Sequence, residues 1–327
     1  MRVVITGIGG LLGSRLAKWI LENISGCVVI GVDDWSCGFR ENVPQGVETF
    51  SVTLGQTRLG FVEGADAVFH FAAHAAECLS PFMRVQSYRN NVLSTAAIVN
   101  WCVNQRVRRL VYASSIAVYG RGVAPFLEKD PTIPVDPYGN GKLACERDIM
   151  IAGEQHGLSY CILRLFNVYG PGQNIWDRHR NVLGIWMRAL LEDRPLVVYG
   201  DGGQVRSFTY IDDILPAMWN AAVLPDAAGQ IYNLGSSNPT AVNYAAEKLI
   251  DVAGRGSITH TSPRHEVDRA WCSTKKSAAL GWTPKTYLTE GLEAMWEWAQ
   301  AAWEKYPERR APRPVNLEST RDTPSWV

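Results

Sequence analysis

A tyrosine and a lysine, Tyr138 and Lys142, stand four positions apart in Asp136-Pro137-Tyr138-Gly139-Asn140-Gly141-Lys142. Asp136 suits an N-cap and Pro137 the first helical position, so a helix is predicted to start here. Residues four apart share a helical face, which would bring an ammonium close to a phenol oxygen. Tyrosine ordinarily titrates near ~10, and a neighbouring cation favours the phenolate and draws that value down. The pair is therefore a candidate general base. The same spacing occurs by chance on surface helices, so its meaning depends on what accompanies it.

The elements that would position it are legible. Arg2-Val3-Val4-Ile5-Thr6 is a β-branched run, followed by Gly7, Gly10 and Gly13 and then the amphipathic segment from Leu11 to Leu21. A strand, a glycine turn and a helix in that order form a dinucleotide-binding unit, with a pyrophosphate on the helix N-terminus. Val28-Val29-Ile30-Gly31-Val32 is a second strand ending at Asp33, 20 residues beyond Gly13. That is the distance expected of a carboxylate that binds the adenosine ribose, and its charge favours NAD over NADP. Further strands are predicted at 67–71, 109–113 and 160–165, with a helix over 84–105 between the first two. Ser114 and Ser115 end the 109–113 strand, where ligands bind in open α/β sheets. The alternation predicts an α/β fold: a doubly wound parallel Rossmann sheet with a smaller α/β substrate-binding domain. Helices are also predicted over 178–191, 241–253 and 289–303, the last with Trp296, Trp298 and Trp303 as packing residues. The boundaries are 1–166 for the NAD-binding domain and 167–305 for the substrate domain, some of whose elements return to the sheet. Residues 306–327, with Pro312, Pro314 and Pro324, read as an extended tail.

Composition narrows the function classes. Lys+Arg and Asp+Glu are both 32, which argues against nucleic acid or an anionic membrane as the partner. Seven cysteines, an odd number without a CxxC pair, suit free thiols in a reducing cytoplasm. No signal region and no apolar run of membrane-spanning length is visible, so a cytoplasmic location is expected, and no metal site.

Together, Thr6-Gly7-x-x-Gly10-x-x-Gly13, Asp33, Ser114-Ser115, Tyr138-x-x-x-Lys142 and Arg164-Leu165-Phe166-Asn167-Val168-Tyr169-Gly170-Pro171 resemble the extended short-chain dehydrogenase/reductases. The chain is most similar there to the NAD-dependent nucleotide-sugar 4-epimerases, of the UDP-glucose 4-epimerase kind. The resemblance spans about residues 1 to 300 and implies NAD as cofactor, a UDP-sugar as substrate and a homodimer. It assigns Tyr138 as base, Lys142 as its pKa-lowering neighbour and nicotinamide-ribose ligand, and Ser115 as partner of the sugar 4-hydroxyl. It places the cofactor against Gly7, Gly10, Leu11, Leu12, Asp33, Ser36, Phe71, Ala72, Ala73, Asn91, Ala113 and Leu165. For the substrate it implies Asn167, Asn181 and Val182 at the diphosphate and sugar, Val197 and Tyr199 at the uracil, Arg206 and Arg264 as diphosphate clamps, and Glu266 at the uridine ribose.

Related dehydratases resemble this chain but carry an Asp-Glu pair where it has Ile116 and Ala117, and related decarboxylases need a glutamate at Ala117; both reactions are disfavoured. Three departures from the family pattern stand out. Ser51 stands where an aspartate usually reaches the adenine amine, Ser273 replaces another frequent aspartate, and the His74-Ala75-Ala76-Glu77-Cys78 loop is not the common version. Ala270 would border the sugar's C2 substituent. The sugar stays open between hexose, N-acetylhexosamine and hexuronate. So does a different nucleotide-sugar reaction, or a catalytically idle NAD(H)-sensing protein. The implied dimer would pair the 84–105 and tyrosine helices, with Val92, Ile98, Val99 and Cys102 facing either the partner or the chain's own sheet.

Overall fold

The computed structural model describes residues 1–56, 60, 63–263, 267–311, 315 and 317–319. Strands β1 (Arg2–Thr6), β2 (Val28–Asp33), β3 (Glu48–Ser51), β4 (Ala67–His70), β5 (Arg109–Ser115) and β6 (Tyr160–Leu165) run parallel in one sheet. Gln230–Leu234 extends it beyond β6, giving the order 230–234, β6, β5, β4, β1, β2, β3. The order reverses between β1 and β4, and a crevice opens there beyond the strands' carboxyl ends, as the doubly wound topology requires.

The inner strands are apolar on both sides because both faces are covered, whereas the edge strand β3 is polar and largely exposed. Val3, Ile5, Phe69, Val111 and Leu163 face one layer, and Val4, Val68, Leu110, Tyr112 and Ile162 face the other. On the first layer lies α1 (Leu11–Asn23). On the second lie α3 (Ser94–Asn104) and α4 (Pro137–His156), with α2 (Arg84–Tyr88) against α4. After β6 the chain enters a smaller lobe through α5 (Val182–Leu191), then returns through α6 (Ile211–Val223), whose Met218 and Trp219 join the first layer. It leaves the sheet again for α7 (Val242–Ala253) and α8 (Leu288–Lys305). Trp186, Leu196, Leu249, Met295, Trp296 and Trp303 form the smaller lobe's core, so the α8 tryptophans are packing residues.

Some local predictions shift. The 84–105 segment is not one regular helix: residues Arg89–Leu93 form a π-helical turn that points Asn91 inward. Helix α5 starts only at Val182, because Asn181 caps it by accepting from the Leu183 amide at 3.1 Å. Ile98, Val99 and Cys102 are buried against the chain's own sheet, which removes them from any partner-facing surface. The tail is not bare chain either: Pro307–Arg310 is a 3₁₀ turn, and Val315 and Leu317 pack on Ala76, Leu79 and Met83. All seven cysteines are free thiols, and among the described residues no helix is long and apolar enough to cross a membrane.

Beneath α4 lies a buried polar network. Glu146 takes a two-pronged ion pair from Arg164 of β6, Nε to Oε1 at 2.9 Å and Nη2 to Oε2 at 2.7 Å. Ser114 of β5 donates to the same carboxylate at 2.5 Å. Arg164 also donates to the Tyr119 hydroxyl at 2.9 Å, which donates to Asn233 at 2.6 Å. Both charges are almost fully buried, with side chains 4% and 2% exposed for Arg164 and Glu146. Removing one partner strands the other's charge in the core. Glu146→Ala should therefore lower unfolding stability by about 3–5 kcal/mol in urea titration, while Glu146→Leu/Arg164→Met should recover most of that loss.

Candidate active site

The crevice has a volume of about 2060 Å³, roughly twice the ~1,000 Å³ that holds one drug-sized ligand. Its floor at the β1 end is built for close approach. Gly7 has φ +73°, and a Cβ there would come within 2.8 Å of the Ala72 amide nitrogen. A Cβ on Gly13 would run into the Gly7 carbonyl oxygen, so α1 can seat against the turn only with glycine there. Helix α1 starts at Gly10 without a side-chain cap, leaving its first amides for an anion. Asp33 ends β2 with its Oδ2 accepting from Gly9 N at 2.9 Å and its Oδ1 from Trp35 N at 2.8 Å. Each oxygen keeps a lone pair for a ribose hydroxyl. Burial raises the Asp33 pKa, and these two amides oppose the rise.

Helix α4 carries Tyr138 and Lys142, the candidate base and its neighbour. Asp136 caps it by accepting from Gly139 N at 2.8 Å, Pro137 is its first residue, and Gly157 closes it at φ +69°. Gly139 lets the helix dock: a Cβ there would stand 2.6 Å from the Ala117 carbonyl. That approach sets Tyr138 beside Ser115, whose oxygen accepts from Ala117 N at 3.1 Å and whose hydroxyl hydrogen-bonds the Tyr138 phenol. Ser114 next to it is committed to Glu146.

The electrostatics depart from the sequence expectation. Lys142 does not sit on the phenol oxygen. Its ammonium donates to Ala113 O at 2.7 Å and lies 4.9 Å above the Tyr112 ring and 5.8 Å above the Tyr138 ring. Burial lowers the Lys142 pKa to about 8, against the opposing pull of Cys145 and Glu146. The Tyr138 pKa is raised rather than lowered, first by burial and then by the Glu77 charge, while Ser115 and Arg180 favour the phenolate. The helical spacing was sound; the direction of the lysine stem was decided by the β5 carbonyl.

Of the expected cofactor ligands, Gly7, Gly10, Leu11, Leu12, Asp33 and Ser36 line one end of the crevice, and Phe71, Ala72, Ala73, Ala113 and Leu165 continue along it with Tyr138 and Lys142. Asn91 does not line it. Its amide accepts from His74 N at 2.7 Å and donates to His74 O at 3.3 Å, so it holds the 74–78 loop from behind. At the adenosine end, the Ser51 hydroxyl is taken by Trp35 Nε1 at 2.8 Å and Arg40 Nη2 at 2.9 Å, and Thr53 lines the crevice in its place.

On the other lobe, Asn167, Asn181, Val182, Val197, Tyr199 and Arg206 all line the crevice. Asn167 is in the left-handed region (φ +39°), and its buried amide nitrogen has no hydrogen-bond partner among the described residues. Asn181 spends its side-chain oxygen on the α5 cap, and that helix N-terminus faces the crevice. Arg206 donates to the Val205 and Asp268 carbonyls at 3.0 and 3.1 Å. Arg264 and Glu266 lie outside the described residues.

Sequence reasoning missed several groups. Gln173 Oε1, His74 Nδ1 and Trp176 Nε1 are buried polar atoms of crevice-lining residues without a partner among the described residues. Buried polar atoms ordinarily find partners, so these three and Asn167 fit a wall that awaits a ligand. Arg180 also lines the crevice, paired with Asp177 at 2.7 Å and Cys37 Sγ at 2.6 Å. The uncommon 74–78 loop was the one sequence signal, and it pointed at His74 alone of these.

Against that geometry, a family model described as the NAD dependent epimerase/dehydratase family matches residues 3–235. A UDP-glucose 4-epimerase of Streptomyces lividans is 30% identical, covering 94% of this chain and 99% of its own. The structure of a UDP-glucose 4-epimerase of Thermotoga maritima, determined with UDP-glucose, has a TM-score of 0.86 at 27% identity over 92% of this chain and 99% of that one. A UDP-glucuronic acid 4-epimerase of Bacillus cereus, determined with UDP-glucuronic acid and NAD, also has a TM-score of 0.86, at 26% identity over 92% and 100%.

Two outcomes follow from the site's physics. Gly13→Ala should abolish retention of a dinucleotide through purification while the chain still folds, as read by absorbance of the released nucleotide and circular dichroism. The second concerns Lys142, whose pKa is about 8 in the fold against 10.5 for the free side chain. The folded state thus binds fewer protons than the unfolded one across that window, and stability gains from this group as pH rises through it. Wild type should gain stability relative to Lys142→Met between these two values in urea unfolding, and a flat difference would contradict the buried ammonium.

Proposed function

The chain belongs to the NAD-dependent epimerase/dehydratase family, and from that premise we propose that it inverts C4 of a UDP-sugar through a transient 4-keto sugar. NAD is its cofactor, and the glycine turn, the uncapped α1 N-terminus and Asp33 fit its pyrophosphate and ribose. When bound, it supplies the reversible oxidation of the sugar carbon. The chain's own work is position and proton transfer. Ser115 orients the 4-hydroxyl, and Tyr138 takes its proton. Lys142 and Arg180 supply the positive charge that favours the phenolate as the proton leaves. Arg206, Arg264 and the α5 N-terminus hold the diphosphate, so the ketone can turn its other face without leaving. Val197 and Tyr199 flank the uracil, and Glu266 accepts from the uridine ribose. Tyr138 then returns the proton and the inverted sugar departs.

The observation that carries this reading is the pairing of Tyr138 with Ser115 in a crevice where the next two side chains are Ile116 and Ala117. A dehydration needs an acid and a base at C5 and C6, and neither residue can carry a proton. A 4-epimerization needs only the serine, tyrosine and lysine. The proposal includes a homodimer, whose exposed apolar candidates on the α2–α3 stretch are Val85 and Leu93 rather than the buried α3 residues.

Incubation with UDP-galactose, UDP-N-acetylgalactosamine and UDP-glucuronate, with product analysis by chromatography, tests the reaction and names the sugar. Tyr138→Phe should keep NAD and lose about 10²–10⁴-fold in kcat. Turnover at the wild-type rate in that variant would refute the role of the phenol.

A further inference from the structure

The tail is tied to the catalytic helix through very few links. At its near end Arg309 is fixed, with its guanidinium 3.8 Å above the Tyr306 ring, 4.0 Å above Phe39 and 2.6 Å from Glu41. Arg309, Ala311 and Val315 line the crevice. Val315 and Leu317 then pack on Ala76, Leu79 and Met83. Glu318 N and Ser319 N both donate to Phe82 O, at 2.9 and 3.2 Å. The Glu318 carboxylate accepts from Val85 N at 2.7 Å and Gln86 N at 2.8 Å, the uncapped first amides of α2.

What the tail grips is the sugar-side loop. Ser80, between Leu79 and Phe82, donates to Glu77 O at 2.8 Å and accepts from the backbone amide of Tyr138 at 3.1 Å. One hydroxyl therefore joins the gripped segment to the start of α4. Glu77 in the same segment carries the charge that acts on the Tyr138 phenol. Apolar contact, two backbone bonds and a carboxylate cap together hold a segment that has only a small core of its own.

We propose that Val315, Leu317, Glu318 and Ser319 are positioning residues that hold the 76–83 segment, and through Ser80 the catalytic tyrosine, at the sugar end of the crevice. The proposal rests on Tyr138 being the base. The adenosine and uridine ends of the crevice lie on other elements, so the tail acts on turnover rather than on nucleotide binding.

The test compares the full chain with a chain ending at Ala311 and with Glu318→Ala, Glu318→Gln and Leu317→Asp. Displacement of a reacting group by about 1 Å costs on the order of 100-fold, so kcat should fall roughly 10–100-fold in the shortened chain. NAD content and the affinity for UDP alone should stay within about twofold, as for independent sites. Glu318→Gln keeps one acceptor oxygen but turns an amide NH2 toward the other backbone N–H, so it should recover only part of what Glu318→Ala loses. Cys78, half-buried within the gripped segment, should be alkylated faster by iodoacetamide once the tail is gone. Unchanged kcat and unchanged Cys78 alkylation in the shortened chain would overturn the proposal. So would a loss of turnover with NAD and UDP binding lost in parallel, which would make the tail a general support. If the full chain turns over none of the sugars, the 4-epimerase reading fails, and Cys78 alkylation still decides whether the tail grips the segment.

Discussion

A carboxylate and a guanidinium, both cut off from water, join α4 to the sheet. Glu146 on α4 meets Arg164 on β6 through two hydrogen bonds, and Ser114 on β5 completes the carboxylate's shell. Buried charges of this kind are costly unless paired and fully hydrogen-bonded, which makes their geometry exacting. The consequence is positional. Glu146 lies one turn beyond Lys142 and two beyond Tyr138, so fixing it fixes the rotation of α4 about its axis. Ser114 lies next to Ser115, so the same pair also anchors the strand end that carries the hydroxyl facing the phenol. The pair is neutral as a unit, and the Lys142 ammonium lies one helical turn from it.

The site is assembled from ends of elements rather than from their middles. The N-termini of α1 and α5 both open on the crevice, one at the dinucleotide turn and one at the Asn181 cap. Each supplies backbone donors and a partial positive charge where a phosphate group would lie. The chain thus offers two anion sites at two ends of one crevice without a large excess of basic side chains, consistent with its zero formal net charge. Between them, the approach of α4 to the 116–118 turn, permitted by Gly139, sets the spacing of the phenol and the serine.

The electrostatic state of Tyr138 follows from this assembly. Burial and Glu77 hold its proton on, and Ser115 and Arg180 pull the other way. Lys142, tied to Ala113 O, lies over the face of the Tyr138 ring rather than at its oxygen.

Much of this was legible before any coordinates. The β-branched runs, the three glycines, Asp33 and the Tyr138/Lys142 spacing are local patterns, and local sterics and periodicity determine them: the Cβ-free turn, the period of the strand and the pitch of the helix. They suffice for the doubly wound sheet and for the glycine turn, Asp33 and the Tyr138/Lys142 pair of its crevice, while the further cofactor and substrate residues came from the family resemblance. What the pattern left open depended on groups far apart in the chain. Asn91 turned away to hold His74, Ser51 was claimed by Trp35 and Arg40, and the lysine stem found the Ala113 carbonyl instead of the phenol. The tail found the 76–83 segment more than two hundred residues away. Hydrogen-bond choice among competing partners is settled by distance and desolvation in the packed chain, and neither quantity is written in residue order.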